Sequence, residues 1–249
     1  MANLLISGAL GKMGKKVYEA AINSSLSPVA GVDIKQDFSN DNFKIYDSFN
    51  NVSEKIDVVI DFSSPKNLDN LLNFCLENNV NAVLCTTGYT ESDLEKIEKA
   101  SNKIAIFRSA NMSLGVNVLI SAVKHVAKSL YGFDIEIIEK HHNKKVDSPS
   151  GTALMLADAV KSELPEKYYV YGREGIVGAR DKNEVGIHAI RGGNIVGEHQ
   201  VIFAGENETL TFTHQATDRG VFAIGAVNAA IYICGKNAGI YNMDNLIKG

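Results

Sequence analysis

Short apolar runs alternate with helical stripes along the first 107 residues of the chain, and that rhythm restricts the fold more than any other feature. Residues 3–7 form an apolar run, followed by a turn carrying Gly8, Gly11 and Gly14 and then by Val17, Ala20 and Ala21 at helical spacing. Residues 28–33 read as a second strand ending in a carboxylate, 57–62 as a third, 81–86 as a fourth and 104–107 as a fifth. Between them, Leu68, Leu71, Leu72 and Cys75, and then Leu94, Ile97 and Ala100, mark the buried stripes of two helices. Pro65 fits the first turn of the earlier one, where its missing N–H costs nothing. Apolar strands alternating with helices require a parallel sheet covered on both faces. The polar stretch 35–51 reads as irregular.

The pattern changes after Asn111. Residues 116–130 read as one long helix, 134–139 as a strand and 152–161 as another helix, rich in alanine and leucine. Partly alternating stretches follow at 185–190, 198–203 and 209–213, with a hairpin turn expected at 206–208. An alanine-rich helix over 222–234 precedes a tail in which Met243, Leu246 and Ile247 need burial. The expected class is α/β: an N-terminal Rossmann-like parallel sheet, plus an α+β part with an open mixed sheet.

Composition removes several function classes. The net charge of −4, from 25 Lys+Arg against 29 Asp+Glu, gives no general attraction to a phosphate backbone, so no nucleic-acid partner is expected. Cys75, Cys85 and Cys234 are isolated, which argues against a disulfide framework and a thiolate metal site and for a reducing compartment. No apolar span approaches the roughly 20 residues that a bilayer crossing needs. Glycines interrupt the apolar start where a signal peptide would need a continuous core, so a cytoplasmic protein is expected.

The glycine turn carries the first chemical signal. A diphosphate needs close backbone approach and free N–H donors, and both occur where a strand turns tightly into a helix. In the spacing Gly8-x-x-Gly11-x-x-Gly14, Gly8 makes the turn, Gly11 leaves room for the pyrophosphate and Gly14 allows close packing. The alternative is an ordinary strand-to-helix turn. Asp33, about twenty residues on, stands where a carboxylate accepts bonds from ribose hydroxyls. That carboxylate favours NADH, whereas Lys35 nearby would neutralise a 2'-phosphate, so the cofactor is NADH or NADPH.

A second signal lies at residues 139–152, which include Lys140, His141, His142, Lys144 and Lys145. So many cationic or titratable groups repel one another without an anion, which points to a carboxylate-rich ligand. Ser150, Gly151 and Thr152 then open a helix whose start attracts a carboxylate. A solvated basic loop is the alternative. No metal is expected, because adjacent histidines on an extended segment point apart and no H-E-x-x-H or cysteine spacing accompanies them. His188, His199 and His214 read as structural, and His125 suggests no function.

The string E-x-H-H-x-x-K-x-D-x-P-S-G-T-A, unbroken over residues 139–153, resembles the dihydrodipicolinate reductase family. The similarity extends over nearly the whole chain, through the Gly8 turn, Asp61-Phe62-Ser63, Thr86-Thr87-Gly88-Tyr89, residues 110–117, Gly178-Ala179-Arg180, Arg191-Gly192-Gly193, Gly197-Glu198-His199 and residues 219–223. The resemblance implies that His141 is the general acid and Lys145 a second catalytic cation. It implies that His142, Lys145, Ser150, Gly151, Thr152 and Arg219 bind a small dicarboxylate. On the cofactor side it implies Gly8, Ala9, Leu10, Gly11, Lys12, Met13 and Gly14, through Lys15, for the phosphates, and Asp33 for the ribose. Cys85, Thr86 and Thr87 then stand near the nicotinamide, and Ser109, Ala110, Asn111 and Met112 join the domains. It also implies a dinucleotide-binding Rossmann domain over 1–111 completed by 219–249, a substrate-binding and oligomerisation domain over 112–218, and a homotetramer.

Two positions depart from the family pattern. Cys85 stands where members usually have glycine, and Ile34 where some place an arginine suited to NADPH. The implied reaction reduces a cyclic unsaturated dicarboxylate by hydride transfer and protonation, with loss of the ring hydroxyl as water. Two rivals share the first half of the chain: another two-domain dehydrogenase, and a regulatory protein that senses NADH without turnover. Neither needs the 139–152 string.

Overall fold

The computed structural model describes residues 1–34 and 43–248. The chain forms two compact units, Met1–Leu114 with Gly220–Gly249, and Gly115–Arg219. Lys35 lies outside the described residues.

The first unit is built on a seven-stranded parallel sheet. Its elements are β1 (Ala2–Ser7), α1 (Lys12–Ala21), β2 (Leu26–Val32), β3 (Lys44–Tyr46), β4 (Val58–Asp61), α2 (Leu68–Asn78), β5 (Asn81–Leu84), α3 (Glu91–Ser101) and β6 (Ala105–Arg108). The second unit contributes α4 (Leu114–Ser129), β7 (Asp134–His141), α5 (Gly151–Glu163), β8 (Tyr168–Val170), β9 (Glu184–Arg191), β10 (Gly197–Ala204) and β11 (Thr209–Ala216). The chain then returns to the first unit with α6 (Gly220–Ile233), β12 (Gly239–Tyr241) and α7 (Met243–Lys248).

The strand order β12-β6-β5-β4-β1-β2-β3 reverses direction between β1 and β4, and every pairing is parallel. Ligands in such sheets lie beyond the strand ends at that reversal. Alternate residues of the strands feed two cores. Leu4, Ile6, Val58 and Ile60 pack under α1 and α6, while Leu5, Val59, Ala82 and Leu84 pack under α2 and α3. One face of helix α6 packs in the core, where its small residues Ala223, Gly225, Ala226, Ala229 and Ala230 permit close approach, while Ile224 and Ile231 stay exposed on the other. Gly225 is required there, since a Cβ would strike the Met112 carbonyl.

The second unit holds a mixed sheet, β11-β10-β7-β9-β8, with α4 and α5 covering one face through Leu119, Val123, Leu156 and Val160. The hairpin between β10 and β11 falls where the sequence places it, and Gly205 N–H donates to the Glu208 carbonyl at 2.9 Å. One expectation needs correction, and two short strands have no counterpart among the expected elements. Residues 43–51, read as irregular, contain the edge strand β3 and a 3-10 turn at Phe49–Asn51. Strands β8 and β12 show no alternation in the sequence, because three residues are too few for one.

Candidate active site

The glycine turn lies at the C-terminal end of β1, beside the end of β4. Gly8 adopts φ +77°, and a Cβ there would come 2.8 Å from the Phe62 carbonyl oxygen, so only glycine fits. Gly8 N–H donates to the Val32 carbonyl at 2.9 Å, and Gly11 N–H closes the turn on the Gly8 carbonyl at 3.1 Å. Gly14 packs on the turn itself, since a Cβ would press into the carbonyls of Gly8 and of Ala9, the latter at 2.6 Å. Lys12, Met13 and Gly14 form the first turn of α1, and no side chain caps its N-terminus at Gly11. Asp33 follows β2, and its Oδ2 accepts the Leu10 N–H at 2.9 Å, which ties the carboxylate to the turn. Gly8, Gly11, Asp33, Ile34, Phe62, Ser63 and Lys66 line a cleft of about 580 Å³. A backbone turn that excludes side chains, an uncapped helix start and a carboxylate on one cleft suit a dinucleotide.

A smaller cavity of about 280 Å³ shares Phe62 and Ser63 and reaches Cys85, Thr86 and Thr87. Behind it, Asp61 is buried and accepts the Thr86 hydroxyl at 2.6 Å and the Ser63 hydroxyl at 2.6 Å. Cys85 packs into the core, and burial, with the Asp61 charge adding, raises its thiol well above the usual range. Ser109 and Asn111 bond to each other in the loop after β6, while Asn111 and Met112 are buried and Ala110 is exposed.

In the second unit the 139–152 stretch folds around the Glu139 carboxylate, which the charge pattern of the sequence does not single out. Residues Ile135, Ile137 and Glu139 share the buried face of β7, and Glu139 is fully enclosed. Its Oε2 lies 2.6 Å from His141 Nδ1, and its Oε1 accepts the Ser150 N–H at 3.0 Å. Arg191, beside His141 in the β7–β9 register, donates to both oxygens at 2.7 Å. Burial opposes ionisation of Glu139, but the bonds from Arg191, His141 and Ser150 outweigh it and hold the carboxyl below its ordinary range.

Ser150 caps α5, its Oγ accepting the Ala153 N–H at 3.2 Å and meeting His199 Nε2 at 3.0 Å. Gly151 opens the helix, with empty space where a side chain would project, and Thr152 follows it. His199 is buried, and its ring stands edge-on to His141 with centroids 5.1 Å apart. Burial, then the neighbouring His141, lower His199 to about 4, so it is neutral at physiological pH. Lys145 pairs with Asp147 at 2.8 Å, and Arg219 approaches His142 Nε2 at 3.4 Å. His188 instead bonds Glu136 at 2.8 Å on the opposite face of β7. Among the described residues, no group of three His, Cys, Asp or Glu could hold a metal ion, and no helix is long and apolar enough to cross a membrane.

The models described as "Dihydrodipicolinate reductase, N-terminus" and "Dihydrodipicolinate reductase, C-terminus" match residues 2–112 and 115–247. A 4-hydroxy-tetrahydrodipicolinate reductase of Caldanaerobacter subterraneus subsp. tengcongensis is 53% identical over 250 residues, covering 100% of this chain and 99% of that protein. A protein of the same description from Clostridium tetani is 50% identical over 250 residues, covering 99% of this chain and 97% of that one. Among solved structures, the dipicolinate-bound dihydrodipicolinate reductase from Paenisporosarcina sp. TG-14 matches with a TM-score of 0.85 at 25% identity, over 98% of this chain and 99% of that one. A nucleotide-binding parallel sheet with a separate mixed-sheet unit, matched in both halves, defines an oxidoreductase of the pyridine-nucleotide class. The chain belongs to the dihydrodipicolinate reductase family.

Proposed function

We propose that this chain reduces 4-hydroxy-tetrahydrodipicolinate to tetrahydrodipicolinate, with loss of water and oxidation of NADH or NADPH, in lysine biosynthesis by the diaminopimelate route. One observation carries the reading: the end of β7 and the start of α5 meet, so the His141 imidazole lies beside an open helix start suited to a carboxylate. The match of both halves of the chain to one reductase family removes the rivals that share the first half alone.

In this reading the turn from Gly8 to Lys15 holds the phosphates, Asp33 the ribose, and Cys85, Thr86 and Thr87 with Ser109, Ala110, Asn111 and Met112 border the rest of the dinucleotide. When bound, the reduced nicotinamide supplies the hydride. His141 holds at Nε2 the proton that completes the reduction, since Nδ1 is engaged by the Glu139 carboxylate. Lys145 offsets negative charge on the substrate. The backbone of Gly151 and Thr152 holds one carboxylate at the helix start, and His142 with Arg219 the other. We assign Ser150 to the wall of this cradle, because its N–H and Oγ are already engaged by Glu139, Ala153 and His199.

The free thiols of Cys75, Cys85 and Cys234 suit the cytoplasm, where we place the enzyme. Exposed Ile190 and Leu210 on the sheet of the second unit support a homotetramer built through those sheets. Mixing the protein with freshly generated 4-hydroxy-tetrahydrodipicolinate should oxidise NADH or NADPH, followed by loss of dihydronicotinamide absorbance. Lys145→Ala should lower kcat and raise KM for the substrate. No oxidation with either dinucleotide would overturn the proposal.

A further inference from the structure

We infer that Glu139 is a positioning residue whose two carboxylate oxygens lock the proton donor and the anion cradle into one unit. The inference rests on the assignment of His141 as the donor.

The position is one where strand β7 alone calls for an apolar side chain. Ile135 and Ile137 precede Glu139 on the same face, and all three are fully enclosed. A buried carboxylate persists only when it is paired and its lone pairs are satisfied. The bidentate contact from Arg191 would meet the charge requirement by itself. Two further bonds are directed elsewhere, one along β7 itself and one to the start of α5, which the sheet does not join. Oε2 meets His141 Nδ1 at 2.6 Å, and Oε1 takes the N–H of Ser150, the residue that caps α5, at 3.0 Å.

Each bond has a chemical consequence. A carboxylate is an acceptor only, so Nδ1 facing it carries the ring proton, and the other nitrogen, Nε2, becomes the atom that exchanges protons with a ligand. Gly197 lies beside that nitrogen, and a Cβ there would come within 3.1 Å of Nε2. The edge-on His199 ring limits rotation of the imidazole. The bond to Ser150 fixes the first turn of α5 relative to the same imidazole. Arg191 extends the connection, since it also donates to the Asp147 carbonyl at 2.8 Å, and the Asp147 carboxylate holds Lys145 at 2.8 Å. Acid, cradle and second cation thus converge on one side chain.

Glu139→Gln preserves shape and removes the charge. Its amide oxygen can still accept from Ser150 N–H and Arg191 Nη2, and its NH2 then faces Nδ1 and Arg191 Nη1, which loses that acceptor and must turn aside. Nδ1 must become an acceptor, and the ring proton moves to Nε2. Nitrogen-detected NMR of the His141 ring in the full chain reads this directly. In its neutral ring the parent should carry the proton on Nδ1, and Glu139→Gln should show the opposite tautomer. In the reductase assay the variant should lose about 100-fold or more in kcat, within the usual range for general acid catalysis. The kcat–pH profile should be displaced, and affinity for the reduced dinucleotide should stay within about twofold.

A parent ring whose lone proton resides on Nε2 would overturn the inference without any variant, which covers the case in which Glu139→Gln fails to fold. A folded variant with the parental tautomer, or with superimposable kcat and pH profile, would overturn it equally. Absence of reductase activity in the parent would instead defeat the functional reading, and the tautomer measurement would still decide what Glu139 does to His141.

Discussion

Opposite Glu139 in the β7–β10 register stands His199, which shows how far this cluster depends on burial. Desolvation first, and then the charges of His141, His214 and Lys145, lower its imidazole from 6.5 to about 4, against the pull of the Glu139 carboxylate. The unfolded chain therefore binds a proton near pH 6.5 that the folded chain takes up only near 4. Stability from this group is complete above pH 6.5 and is lost as pH falls toward 4, on the order of 2 to 3 kcal/mol for a shift of this size. Urea denaturation at pH 7.5 and pH 5 should show the loss, and His199→Gln should flatten it; an unchanged slope would contradict the assignment. Of the residues in this cluster, His141, Lys145 and the helix start were legible in the sequence through their charge and their string. The Glu139–Arg191 pair was not, because its partners are 52 residues apart. One signal was available: Glu139 and His141 are two apart on a strand and so share a face.

At the scale of elements, the strand, glycine turn and helix at the N-terminus follow from the sequence because each has a local cause. Gly8 needs its positive φ, and Gly14 needs the absence of a Cβ. Gly14→Ala should push the turn off the start of α1, costing roughly 1 to 3 kcal/mol as overpacking does. Dinucleotide affinity should fall at least about fivefold on that scale. Gly151→Ala meets open space and should leave thermal stability near that of the parent. Melting curves and fluorescence titration with NADH check both, and a Gly14→Ala protein with parental Tm and Kd would contradict this account of the turn. Strands β3, β8 and β12 carry no local signal because their existence depends on a neighbouring strand: among the described residues β12, for example, pairs with β6 alone. Tertiary pairing, not local propensity, makes such short strands.

At the scale of the molecule, the chain leaves its first unit after Leu114 and returns at Gly220, so α6, β12 and α7 complete a core begun at residue 2. Nothing local in residues 220–248 announces that return; the family resemblance implies it. The central claim belongs to the second unit: a dicarboxylate is held at the start of α5 beside His141. Titrating the isotopically labelled full chain with dipicolinate, followed by amide and ring NMR shifts, tests it most directly. The account predicts the largest changes at Lys145, Gly151, Thr152 and the His141 ring. Changes confined to the Asp33 cleft, with those four residues unmoved at saturation, would contradict it.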